Sequence, residues 1–253
     1  MLRAGVGFFM KTASYARLLF GVSAVLFAVL ALLWHDADTW QSVHRILRLP
    51  LGTVIGDVLM LALIAASIGV QFQRTARVSS IALGVVYLLF SLACIPGIMA
   101  APKTYVEYGS FFELFSLVCG ALALYAATCT GSQGLAFGRA ARAGLGVCAV
   151  SFALAQIFYL HLTAGLVPTW IPFGQMFWTI LTTVAFALAA LAMLTNVKAR
   201  LAMQLMTLMI VIFGILIWIP MVVTHPEQHF NWSELALNFM IAGAAWTVAT
   251  LAP

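Results

Sequence analysis

Charge is what this sequence has least of. Only 8% of its 253 residues are Asp, Glu, Lys or Arg, and 64% are hydrophobic, against about 25% and about 45–50% in soluble domains. A soluble fold of this size could not hide that excess, because large apolar patches would remain on its surface. The four cysteines, Cys94, Cys119, Cys129 and Cys148, contain no CxxC pair and no metal-knuckle spacing. A dithiol mechanism carried by this chain alone is therefore not expected, and buried, inert thiols are. Also missing are a serine–histidine nucleophile motif, a phosphate-binding glycine loop and a haem-attachment sequence. The net charge of +5 would suggest nucleic acid in a soluble protein. In so apolar a chain basic residues set orientation instead, and no nucleic-acid partner is expected.

What is present is apolar length. A helix needs about 20 apolar residues to cross a bilayer. Charge-free runs cover residues 18–34, 78–102, 114–138, 201–226 and 235–253. Residues 143–197 hold two more spans with a break between them, and residues 49–73 one more with Asp57 inside it. The expectation is an all-α integral membrane protein of eight transmembrane helices, with the lipid bilayer as its surroundings.

The chain also repeats itself. "ARLLFGVSAVLFA" from Ala16 recurs as "ARAGLGVCAVSFA" from Ala141, with eight identities in thirteen positions. Ala76–Arg77 recurs as Ala199–Arg200, Ile95–Pro96 as Ile219–Pro220, and Glu113–Leu114 as Glu234–Leu235. The first apolar run is thus a permanent helix of a duplicated unit and not a cleaved signal peptide. Residues 1–128 form the first four-helix repeat and residues 142–253 the second. A cytoplasmic glycine-containing linker, residues 129–141, joins them. Four helices per unit make the two repeats parallel. Nine basic residues (Arg3, Lys11, Arg17, Arg74, Arg77, Arg139, Arg142, Lys198 and Arg200) fall at one end of the bundle, against Arg45, Arg48 and Lys103 at the other. That asymmetry puts both termini in the cytoplasm. All seven acidic residues and all five histidines fall at or near the outer end.

Ionisable groups in hydrocarbon are expensive, so those near helix ends carry the functional hypotheses. Asp57 is either a buried proton or substrate group or a residue facing water at a helix mouth. Glu113 in "GSFFEL" and Glu234 in "NWSEL" read as capping-box partners of Ser110 and Asn231. "HPEQH" places His225 and His229 four apart, but Pro226 lies between them, so solvated loop histidines are the preferred reading. A metal site would need His161, His225 and His229 to converge. Trp34, Trp40, Trp170, Trp178, Trp218 and Trp232 fall near outer helix ends, as an aromatic belt would. In "YLHLTAGLVPTWIPFGQMFWTIL", Pro168 and Pro172 forbid a continuous helix. Residues 169–171 then form a short re-entrant or interfacial element before Gln175 and Trp178 begin the next span. The first half reads "DADTWQSVHRILRLPLG" at that point, and the difference marks where a site is expected. The candidate outer pocket is Asp57, Glu113, His161, Trp170, Gln175, Trp178 and Glu234.

"HLTAGLVPTWIPFGQMFW", "AFALAALAMLTNVKARLA" and "GILIWIPMV" together resemble the second half of DoxX-like membrane proteins. The shared features are a small four-helix unit, a basic helix start with glycine, a VPxWIP-type turn and a third helix ending in a proline. The resemblance covers residues 141–248. It implies a bacterial cytoplasmic-membrane protein, an accessory or scaffold subunit of a redox or quinone-linked system, with a membrane redox protein as partner and quinone as the cofactor to look for. A small-molecule or proton-coupled transporter and an outward-facing metal- or quinone-binding oxidoreductase are the competing expectations.

Overall fold

The structure, a computed structural model, describes residues 2–252, with side chains from Ala13 onward. Among these residues every regular element is a helix. Eight are long and apolar enough to cross a bilayer, and the chain is a multi-pass membrane protein. They are α1 (Leu2–Trp34), α2 (Gly52–Gly69), α3 (Ala76–Ala93), α4 (Val106–Ala127), α5 (Gly131–Phe158), α6 (Gln175–Thr195), α7 (Ala199–Phe213) and α8 (His229–Leu251).

The connections after α1, α3, α5 and α7 lie at the end that holds the carboxylates, called here the acidic end. Those after α2, α4 and α6 lie at the basic end.

Local chemistry explains where these helices begin and bend. Pro96 and Pro220 have no amide to donate, yet α3 continues through Ile95–Ala100 and α7 through Ile219–Thr224. In α7 the disturbance is absorbed by a turn of π-helix, Gly214–Trp218, just before Pro220. The resemblance implies a third helix that ends in a proline, whereas Pro220 lies within the span Ala199–Thr224.

Two further expectations are corrected. The stretch read as a linker, residues 129–141, is mostly helical. Only residues 128–130 connect, and Gly131, at φ +65°, opens three turns of α5 that hold Arg139 and Arg142. Glu113 and Glu234 are not capping residues either, because α4 begins at Val106 and α8 at His229. Both carboxylates therefore sit more than a turn inside their helices.

Consecutive helices pack as antiparallel neighbours, and α8 also runs along both α1 and α4. Close crossings make that possible. A Cβ on Gly120 of α4 would come within 2.6 Å of the Ala244 Cβ, and one on Gly243 would lie 2.6 Å from the Phe20 backbone. Between lipid-embedded helices, contact comes from such backbone approach and from dispersion, since lipid tails are as apolar as leucine.

The space enclosed by α1, α2, α3, α4 and α8 is solid. Phe20, Met60, Leu63, Tyr87, Phe90 and Leu117 fill it, each almost wholly buried. Its acidic end is plugged by Trp40, from the short helices Ala37–Trp40 and Gln41–Arg48 that connect α1 to α2. The ring is fully buried and Nε1 donates to the Ala31 carbonyl at 2.9 Å. Trp40 therefore packs inside the protein and does not join an interfacial belt, because Gly56 leaves room for its ring. A Cβ at Gly56 would meet that ring at 2.6 Å.

Candidate functional site: an apolar cavity under the proline loop

A second space, lined by α4, α5, α6, α7 and α8 and partly open to the outside, is not filled. It is a cavity of about 480 Å³, within the range of small-molecule sites. Phe152 reaches it from α5 and Tyr159 from the turn that follows, Trp178 and Phe186 from α6, and Phe213 and Trp218 from α7 and its π-turn. Phe186 makes edge-to-face contacts with Phe152 at 5.5 Å and with Phe213 at 6.4 Å between centroids. These contacts hold three rings as one wall.

The proline loop roofs the cavity. Helix α5 stops at Phe158, and Leu160–Leu166 makes a short helix. Residues 167–174 then run without regular structure, with Val167, Pro168 and Ile171 facing the cavity. Two side chains of α6 bind the roof down: Gln175 Nε2 donates to the Val167 carbonyl at 2.6 Å, and Trp178 Nε1 to the Pro172 carbonyl at 2.7 Å. The loop closes through Phe173 at φ +73° and Gly174 at φ +81°, ψ 160°. The second of these conformations is essentially restricted to glycine. Trp170 and Phe173 point outward and are exposed.

Deeper in, the lining turns polar. Thr182 and Thr183 donate to Gln156 Oε1 at 3.2 and 2.8 Å. With its oxygen engaged, Gln156 has an amide NH2 that no other described residue accepts. Asn238 donates to the Ile210 carbonyl at 2.9 Å, and its own oxygen remains unengaged among the described residues. Glu113 lines the same cavity from α4. It interacts electrostatically with Glu234 on the facing α8, next to Ser233, whose Oγ accepts from Gln41 Nε2 at 2.8 Å. Among the described residues no Lys, Arg or His lines the cavity.

Of the residues singled out from the sequence, Glu113 and Trp178 line the cavity, Gln175 holds its roof, and Glu234 stands beside Glu113. His161 and Trp170 are exposed on the loop and do not face it. Asp57 lies apart, 2.6 Å from His35 Nε2.

The histidines do not converge. His225 lies 3.4 Å from Glu227, and His229 Nδ1 lies 2.5 Å from Asp36 while its ring stacks on Trp34. Among the described residues no three His, Cys, Asp or Glu side chains are grouped to hold a metal ion. Sequence reasoning missed Gln156, Thr182, Thr183 and Asn238, although a polar side chain inside a charge-free span was itself the signal.

The connection after α1 is fastened to the bundle by charge. Arg45 forms a two-point pair with Glu107, one bond being 2.6 Å, and that hydrogen-bonded pairing raises the Arg45 pKa. Burial alone would raise the Asp36 pKa, but the His229 ring and the Thr39 amide outweigh it and hold the carboxyl below its usual value. No family model, curated protein or solved structure matches the chain.

Proposed function

We propose that this protein is a membrane receptor or carrier subunit that holds one lipophilic small molecule in the cavity between α4 and α8. The observation that carries the reading is the pairing of an apolar, aromatic-lined cavity with a small polar floor at Gln156. Apolar walls supply the driving force, and a few placed polar groups fix orientation. Nothing in the lining pairs a nucleophile with a base, so binding fits the site better than hydrolysis.

The DoxX-like resemblance fits this reading as an accessory role in a quinone-linked membrane system. The resemblance supports a bacterial inner-membrane location, and the distribution of basic residues supports both termini being cytoplasmic. The duplicated segments support two parallel four-helix repeats, as does the neighbour pattern in which α4 meets α5 and α8 meets α1. On that reading the first unit is plugged by Trp40, and the second keeps the equivalent space open under a loop.

The test is purification in mild detergent followed by extraction and mass spectrometry of bound molecules. One lipophilic molecule per chain is expected, and it should be lost when Ala155→Phe fills the cavity. A protein that carries nothing, and takes up no added quinone or other lipophilic compound, would overturn the proposal.

A further inference from the structure

The chemistry of the lining says more about the occupant than its volume does. Six aromatic side chains face one space in which, among the described residues, Glu113 is the only acidic group and which no basic side chain enters. Aromatic faces are negative and attract cations, more strongly when water is excluded. The Glu113 carboxyl in the same wall supplies a counter-charge once a cation sits beside it, because an adjacent positive charge favours its ionised form. The Glu113 carboxyl has no hydrogen-bond or ion-pair partner among the described residues, and its one electrostatic neighbour on α8 is a second carboxyl, Glu234.

The nearest connection that could have supplied a counter-charge does not. Arg45 is bound at both ends of its guanidinium by Glu107 and packs over Gly97, where a Cβ would meet the Arg45 Nη2 at 2.5 Å. Of the two acidic residues on α4, one is thus neutralised outside the cavity and the other is left to face it.

Resting on the reading of the cavity as a small-molecule site, we propose that its ligand is a lipophilic organic cation, seated among Tyr159, Trp178, Phe213 and Trp218 with its positive charge towards Glu113. An anionic lipid headgroup is disfavoured by the same wall, since phosphate and carboxylate need basic or amide donors that the lining provides only at Gln156 and Asn238. The cation is large and apolar rather than a metal ion, because one carboxylate on an otherwise hydrocarbon surface leaves most of a metal's coordination sites empty.

Binding of tetraphenylphosphonium and of its equally shaped anion, tetraphenylborate, to the purified full chain tests this. Calorimetry or equilibrium dialysis in mild detergent gives both affinities. The cation should bind about tenfold tighter or better, the difference that a modest electrostatic preference produces. Glu113→Gln should erase the preference and still bind both ions weakly, and Glu113→Asp should keep it, which separates lost charge from lost fold. Equal or tighter binding of the anion by the wild-type chain would overturn the cation assignment and leave the cavity as a site for neutral or anionic lipids. Binding of neither ion, together with no effect of Ala155→Phe on any lipophilic compound, would overturn the underlying reading of the cavity as well.

Discussion

Gln156 Oε1 accepts hydrogen bonds from Thr183 Oγ1 at 2.8 Å and from Thr182 Oγ1 at 3.2 Å, and these contacts between α5 and α6 leave the Gln156 NH2 to the cavity that the residue lines. Replacing Gln156 by Leu removes the only free NH2 donor at the polar floor. A neutral ligand with an acceptor oxygen should then bind about tenfold more weakly, the value of one neutral hydrogen bond in a dry site. Thr183→Val should weaken it less, since the amide stays and only its orientation is released. Titration of an added quinone followed by quenching of Trp178 and Trp218 would check both.

The roof depends on Gly174. At φ +81° and ψ 160° any side chain is strained, at a cost of about 1–3 kcal/mol. Gly174→Ala should therefore loosen the loop that Gln175 and Trp178 hold down. The expected result is a faster release of bound ligand and a modest loss of thermal stability, measured by stopped-flow fluorescence and by a melting curve in detergent.

Acid should weaken the connection between α1 and α2. His44 is half-buried with an unpartnered Nδ1. Burial, aided by nearby Arg48, lowers its pKa below the usual 6.5. A group lowered on folding contributes stability above its unfolded pKa and loses it as pH falls through the folded value, so the His44 contribution fades from about pH 6.5 downward. Asp36 behaves likewise at lower pH, beginning near its ordinary 3.8. His44→Phe should flatten the melting temperature between pH 7 and pH 5, and Asp36→Asn should change it at neutral pH by removing the carboxylate that holds His229.

The crossing of α1 and α8 tolerates no added bulk. A Cβ on Gly243 would lie 2.6 Å from the Phe20 backbone, which cannot yield as a flexible side chain could. Gly243→Val should destabilise by about 1–3 kcal/mol, whereas Gly165→Ala, at a position with open space around it, should change little.

The parts of the molecule that could be read from the sequence are those fixed by local chemistry. Charge-free length placed eight helices, and Pro168 and Pro172 marked the break between α5 and α6. The charge pattern sorted the loops into two ends. Position across the bundle was not local, and there the reading failed. Trp40 looked like a belt tryptophan because its neighbours in sequence are polar, yet a glycine sixteen residues on makes its pocket. Glu113 and Glu234 looked like caps because Ser110 and Asn231 stand three residues before them. The helices start earlier, so the carboxylates face each other between α4 and α8. Gln156 lies in "SFALAQIFYL", and nothing within that stretch says that Thr182 and Thr183 will meet it.

Photoaffinity labelling in native membranes tests the central claim most directly, using a lipophilic compound that carries a diazirine. If the cavity is the binding site, label should map to Gln156, Tyr159, Thr182, Phe186 and Trp218, saturate at one molecule per chain, and vanish in Ala155→Phe. Label spread over the lipid-facing Leu162, Val184 and Leu208, indifferent to Ala155→Phe, would contradict the account and leave the cavity without a ligand.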